Sequence, residues 1–220
     1  MKGLWIKDLK LIAQQKMTII IIVFVGMFLM TQRESPSFAI GYISFVSITL
    51  VMATLTYDEF EHGMSFLMTL PISRKQYVQE KYLLALTSAV VAMLAAILMA
   101  FAAGTIKGTG ISIEETLIES YAIICVAASM CAVRIPTTLK FGPEKERIIL
   151  FAMVIIIIGG IYALSRIKNY FIPDLDLEAL LLDILRTWGN AILLLPFLFV
   201  LVFVGITYLI SVRIMERKEF

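Results

Sequence analysis

Tyr57-Asp-Glu-Phe-Glu-His-Gly-Met-Ser-Phe-Leu-Met-Thr-Leu-Pro-Ile-Ser-Arg-Lys-Gln-Tyr-Val-Gln-Glu-Lys81 separates two long apolar runs. Spans of a membrane protein are usually joined by short, plain turns. Here an acidic, an apolar and a basic section follow one another, and a helix then begins. Ser73 with Gln76 three residues later forms a capping box, in which each side chain satisfies a free amide at the helix N-terminus. Pro71 keeps Leu70 extended and parts this helix from what precedes it. The stretch predicts a short, rigid helix held between two spans, as a membrane subunit driven by a soluble partner requires.

The rest of the chain agrees with that reading. Apolar residues make up 60% of 220 and charged residues 16%, more apolar surface than a soluble core of this size can bury. A formal charge of +2, with basic residues scattered among loops, gives no basis for nucleic-acid binding. Cys125 and Cys131 are six apart in one apolar run and therefore lie on different faces of a helix, which implies neither a disulfide nor a metal framework. The N-terminal segment has charges mixed through it and no small-residue cleavage site, unlike a cleaved signal peptide.

A span needs about 17 to 25 mainly apolar residues. Six runs come near this, at 17–31, 38–57, 83–106, 116–133, 148–165 and 189–212, and their cores hold no charge except Glu119 near one end of the fourth. Basic residues set the orientation. With the N-terminus inside, fourteen Lys and Arg lie inside and five outside, while the acids split nine to eight. Both termini are thus expected in the cytoplasm.

Two further segments are neither spans nor simple loops. Residues 2–15 place Leu4, Trp5, Leu9 and Ile12 at helical spacing with Lys7, Lys10 and Gln14 around them, which suits an interfacial helix or an inner extension of the first span. Pro173 to Trp188 begins with acids and carries an apolar stripe through Leu177, Leu180, Leu181 and Ile184, which predicts a short outer helix before the last span.

Several chemistries find no support in the sequence. There is no phosphate loop of the Gly-x-x-x-x-Gly-Lys-Ser/Thr type, and Gly104 to Gly110 resembles one only in composition. His62, the single histidine, lies in the loop rather than in a span. No span offers a buried carboxylate pair of the kind that ion-coupled carriers keep at mid-membrane. Neither catalysis nor self-powered transport is indicated, and no metal site is expected.

The run from Glu61 through His62-Gly63-Met64 to Leu70-Pro71-Ile72-Ser73-Arg74-Lys75-Gln76-Tyr77 and on to Lys81 resembles the first cytoplasmic loop of type-2 ABC (ATP-binding cassette) exporter permeases. More narrowly, it is similar to the compact bacterial branch whose members export or give resistance to antimicrobial and amphipathic peptides. The resemblance implies an all-α integral membrane protein with six transmembrane helices, an N-terminal interfacial helix, a cytoplasmic coupling helix and a short outer helix before the last span. It implies one permease domain over residues 1–220, multi-pass in the bacterial cytoplasmic membrane. Leu70, Pro71, Ile72, Ser73, Arg74, Lys75 and Tyr77 map onto the coupling helix, with Arg74 and Lys75 facing acidic groups of an ATPase subunit and Ile72 and Tyr77 filling apolar pockets there.

Asp58, Glu59 and Glu61 form an acidic run suited to basic residues of the ATPase or of the N-terminal helix, or else a solvated helix end. Lys140, in a second inner loop over 134–147, is an accessory contact or a basic anchor. ATP and Mg would sit on the partner, with no cofactor on this chain. Six spans are too few for a full pathway, so a second permease, identical or different, completes the cavity. Met52, Thr56, Thr87 and Ser88 are expected to line it, tolerating amphipathic ligands. The competing reading is a small secondary carrier or a membrane-embedded substrate-binding subunit, for which a capped cytoplasmic lever at 58–81 would have no purpose.

Overall fold

The computed structural model describes residues 2–32, 36–60, 63–108, 112–171 and 194–218, and the structural statements below concern these. They form seven helices: α1 (Lys2–Gln14), α2 (Lys16–Gln32), α3 (Ser37–Glu59), α4 (Gly63–Thr69), α5 (Arg74–Lys107), α6 (Ile113–Phe171) and α7 (Leu194–Arg217). Four, namely α3, α5, α6 and α7, are long and apolar enough to cross a membrane, and the bent pair α1–α2 makes up to five. The outer helix expected between Pro173 and Trp188 lies outside the described residues.

α1 meets α2 at a 65° bend around Gln15, so α1 does not extend α2. Its inward face differs from the expected stripe. Leu4 and Asp8 are buried and Trp5 and Ile12 pack on the core, whereas Leu9 points outward beside Ile6. Positions 4, 8 and 12 are one face of a helix, and Leu9 falls outside it.

The helix opened by the capping box is not short. α5 runs without a break for 34 residues, because nothing between Gln76 and Leu83 is a glycine or proline that would stop it. The free-standing short helix is instead α4, ahead of Pro71. At 1.5 Å per residue α5 is ~51 Å long, against ~30 Å of hydrocarbon, so its first turns, before the apolar run at 83, project beyond the membrane.

The second inner loop also departs from expectation, since 134–147 is helical apart from one residue. Gly142 adopts φ 79°, ψ 167°, splitting α6 into arms of 113–141 and 143–171. Glycine is needed there because the positive φ is open to few other residues, and Pro143 suits the first turn of a new helix. Arg134 Nε nonetheless lies 2.6 Å from Glu146 Oε1. In a straight helix their Cα atoms would stand ~18 Å apart, beyond the reach of both side chains. The chain therefore turns sharply at Gly142.

α3 lies at the centre, against α2, α5 and the first arm of α6, while α7 packs on α5 and α6. Packing relies on small residues. Ala85, Ala89, Ala96 and Ala100 are buried along α5, and Gly26 on α2 is so close to α3 that a Cβ there would stand 2.6 Å from Ile43 Cδ1. Small side chains let helix backbones approach where lipid offers no hydrophobic drive for association. One buried cluster joins Ile48, Leu55, Tyr77, Val78, Ile135 and Met215 at the end where α3 stops and α5 starts. A second, around Ile40, Ile43, Ala96 and Ala100, fills the opposite end. The second arm of α6 and the outer face of α7 expose Phe151, Ile155, Ile156, Phe199 and Val202, an apolar surface suited to lipid.

Candidate functional site

The first of these ends carries the polar chemistry. Two charged pairs lie in its interior: Asp8 of α1, Asp58 of α3 and Lys81 of α5 are buried, and Lys7 reaches in from the rim. Lys81 Nζ pairs with Asp8 Oδ2, lies 2.8 Å from Asp58 Oδ2 and donates to Thr54 Oγ1 at 3.2 Å. Lys7 Nζ pairs with Asp58 Oδ1. It also stands 3.0 Å from Asp8 Oδ1, attractive in charge though off the direction of a hydrogen bond. The Tyr77 hydroxyl donates to Asp58 Oδ2 at 3.0 Å, and Lys81 sits over the Tyr77 ring. Burial, then the Asp58 charge, raise the Tyr77 phenol's pKa well above its usual value, so it stays a donor.

Glu80 is buried against this cluster, and neither of its oxygens has a partner among the described residues. It belongs to the part of α5 that projects from the membrane. Burial pushes its carboxyl up to about 7; Lys81 opposes the rise and the neighbouring Asp8 adds to it. Two lysines already balance Asp8 and Asp58, so an ionised Glu80 would leave a net buried charge, and the proton removes it. A protonated Glu80 can donate to the Asp8 carboxylate. The cluster therefore binds α1, α3 and α5 into one unit, and removing any one ion would strand another in the interior.

The loop above the cluster is tied down at three points. Gly63, first in α4, lies so close to α3 that a Cβ would stand 3.0 Å from the Asp58 carbonyl oxygen. Across Pro71 the Ile72 amide donates to the Leu70 carbonyl at 2.6 Å, a three-residue turn. The capping box then closes as the sequence predicts: the Gln76 amide donates to Ser73 Oγ and the Ser73 amide to Gln76 Oε1, both at 3.1 Å.

The residues expected to dock a partner divide into two groups. Leu70, Pro71, Ser73 and Lys75 are exposed, and Ile72 is half-buried against the core. Tyr77 is not on that face. It is wholly buried, because i+3 from Arg74 turns it toward α3, and its hydroxyl is spent on Asp58. Arg74 is half-buried and donates to the carbonyls of Met215 and Glu216 at the end of α7. Asp58 pairs with Lys7 of the N-terminal helix, one of its two expected basic partners, though in the interior rather than on the surface; Glu59 pairs with Lys218 at 2.6 Å, and Glu61 lies outside the described residues. Lys140 is exposed at the end of the first arm of α6, over the Phe141 ring.

An apolar cleft of about 520 Å³ opens between α5, the first arm of α6 and α7, where Tyr82, Leu86, Ile124, Ala128, Phe197 and Val204 line it and Gln79 marks its polar rim. Tyr82 closes the inner end, edge-on to Tyr208 and 2.9 Å from Ser211 Oγ. None of the four expected cavity residues lines this cleft. Met52 is buried in the core, and Thr56, Thr87 and Ser88 turn their hydroxyls back to carbonyls of their own helices, at Met52, Leu83 and Ala85.

Residues 3–216 match the model of the family described as ABC-2 family transporter protein. The chain belongs to the ABC-2 transporter family. No curated protein and no solved structure matches it. Membership makes it a multi-pass membrane permease, a transport component rather than a catalytic one, of a family that typically works with an ATPase.

Beyond a basic partner for Asp58 from the N-terminal helix, sequence reasoning missed the interior of the permease's charged end, where Asp8, Thr54, Glu80 and Lys81 meet. One signal existed. Asp8 falls midway between Leu4 and Ile12 on one helical face, and a carboxylate on an apolar stripe needs a buried cation.

Proposed function

We propose that this chain is the membrane subunit of an ATP-driven exporter, pairing with a second permease, identical or different, and with two ATPase chains that bind ATP and Mg. The cargo is an amphipathic or hydrophobic molecule of the peptide class. In this reading residues 1–220 are one domain of the bacterial cytoplasmic membrane that crosses it six times, through α2, α3, α5, both arms of α6 and α7, with both termini cytoplasmic.

One observation carries the proposal. The loop from α4 to the start of α5 is tied to three other helices: the Asp8–Lys81–Asp58 cluster holds α1 and α3, Arg74 holds the backbone of α7, and Tyr82 with Ser211 repeats the tie to α7 further along α5. A displacement of this loop by a closing ATPase would be passed to all of them, because ion pairs and packed side chains transmit motion that a flexible connector absorbs. Exposed Leu70, Pro71, Ser73 and Lys75 are the contact surface, and the apolar cleft beside α7 supplies a chamber that suits apolar cargo faces.

The test is reconstitution with the ATPase in inside-out vesicles. ATP-dependent uptake of a labelled amphipathic helical peptide, with no uptake of a small, highly charged solute, is expected. Uptake without ATP, driven by an ion gradient, would replace the exporter with a secondary carrier.

A further inference from the structure

A second groove, about 490 Å³, lies where the first arm of α6 and the end of α7 meet. Its floor is apolar, from Leu139, Ile210 and Ile214, and its rim is basic, from Lys140, Arg213, Arg217 and Lys218. No acidic side chain lines it. Lys218 is turned toward Glu59 and the Leu139 carbonyl, and Lys140 toward Phe141. Arg213 and Arg217 are exposed, one helical turn apart, and neither makes an ion pair among the described residues. Cations gathered on one rim repel each other, and an anion relieves that cost.

Depth says which anion. From Leu194 to Val212 α7 holds no charged residue, and these turns cover ~28 Å, close to the hydrocarbon thickness. Arg213 is the first cation after the run, so it stands at phosphate level with Arg217 one turn further out. Below them Ile210 continues the floor into the apolar zone. A ligand here is anionic at the rim and apolar beneath. Guanidinium groups suit it, since their planar forks bind phosphate oxygens in pairs.

We infer that this groove is a binding site for an anionic phospholipid, whose headgroup phosphate rests on Arg213 and Arg217 and whose first methylenes lie on Ile210 and Ile214. Such a lipid would bridge the first arm of α6 to α7 at the end of the permease where Arg74 and Lys218 also hold α7. It follows from the groove and from the membrane setting of the family, and is independent of what the permease exports.

The full chain, purified in detergent, would be titrated with an anionic phosphatidylglycerol and examined by native mass spectrometry. One retained lipid is expected, together with a rise in Tm. The double variant R213Q/R217Q should weaken retention roughly 25-fold, at about fivefold for each cation near a lipid phosphate. K10Q/K16Q, which removes as much charge from exposed sites elsewhere, should retain the lipid as the unaltered chain does. Equal Tm values without lipid show that the variants fold. Equal loss in both double variants would reduce the effect to bulk charge and overturn the site. Displacement of the lipid by millimolar inorganic phosphate would reassign it to a free anion. If R213Q/R217Q kept the lipid but lost co-purification with the ATPase, the groove would be a protein-docking surface instead.

Discussion

Arg74 donates to the Met215 carbonyl at 2.9 Å and to the Glu216 carbonyl at 2.7 Å, so the first turn of α5 supplies the cation that the last turn of α7 needs. Carbonyls at a helix C-terminus lack intrahelical partners and carry the negative end of the helix dipole. A guanidinium there satisfies two of them and opposes the dipole. Arg74, for which the sequence suggested a role toward an external partner, thereby becomes an internal clasp between the loop and the last helix.

That clasp separates two variants. Arg74→Glu removes charged hydrogen bonds worth about 2 kcal/mol and places an anion at a helix C-terminus, so Tm in detergent should fall by several degrees. Lys75→Glu changes an exposed group with no described partner and should leave Tm unchanged while weakening co-purification with the ATPase. Ser73→Ala, which removes the N-cap, costs about 1 kcal/mol and falls between them. If Lys75→Glu bound the ATPase normally, the exposed face of the loop would not be a docking surface.

The buried ion cluster makes a sharper demand. Asp58→Asn or Lys81→Met alone strands a charge in the interior and should cost about 3–5 kcal/mol. The double variant, which removes both a cation and an anion, should recover part of that loss, because Lys7 and Asp8 remain to balance each other. Thermal unfolding of the three variants measures the coupling. Losses that simply add would mean that the two side chains do not meet.

A pH window follows from Glu80. Its folded carboxyl titrates at about 7, above the ordinary 4.5. Below about 4.5 both folded and unfolded chains hold the proton. Between 4.5 and 7 the unfolded chain loses it and the folded chain keeps it, so stability falls as pH rises through that window and levels off above it. The span corresponds to at most about 3 kcal/mol. The groups facing Glu80 are Asp8 and Lys7 from α1, and Tyr77 and Lys81 on its own helix. Glu80→Gln keeps the shape without the titration, and the difference in Tm between it and the unaltered chain should grow from pH 5 to 7. A difference independent of pH would place an ionised Glu80 in the fold.

Much of this architecture is legible in residue patterns, and the reasons for the rest are physical. Apolar runs locate spans because every backbone polar group in lipid must bond within its own helix. The box from Ser73 to Gln76 is local, so four residues suffice to predict it. Lys81 with Asp8 is not: the two lie 73 residues apart and meet only once α1 folds back under α3. The same holds for Arg74 and Met215. The expected loop at 134–147 proved helical because Arg134 to Phe141 contains no glycine, and a single proline, Pro136, does not stop the helix. Helical spacing alone does not say which way Tyr77 and Leu9 face, because that depends on where each helix meets its neighbours, which turns Tyr77 inward and Leu9 outward.

Topology offers a test of the basic-residue asymmetry. In a background lacking Cys125 and Cys131, cysteines at positions 75 and 145 should react only with reagents on the cytoplasmic side, and one at 108 only from outside. Labelling of position 75 from outside would reverse the orientation and remove the ATPase from this end of the bundle.

Gly142 is the single residue on which the doubling-back of α6 depends, and it yields the last test. At φ 79°, ψ 167° any side chain is strained, with nothing crowding the site itself, so the effect of Gly142→Ala is conformational rather than steric against a neighbour. The strain is worth about 2 kcal/mol, and it draws the backbone toward continuing the helix of the first arm. Straightening would part Arg134 from Glu146, which are 2.6 Å apart only because the chain turns between them. Gly142→Ala should therefore lower Tm, and Glu146→Gln added to it should cost less than it does alone, since that pair would already be weakened. A cysteine pair at 134 and 146, bridged by a bifunctional thiol reagent ~10 Å long because a disulfide needs closer backbones, gives an independent readout: it should cross-link readily with Gly142 present and poorly with Ala. Equal cross-linking in both would mean that Pro143 alone sets the turn, and that glycine is dispensable there.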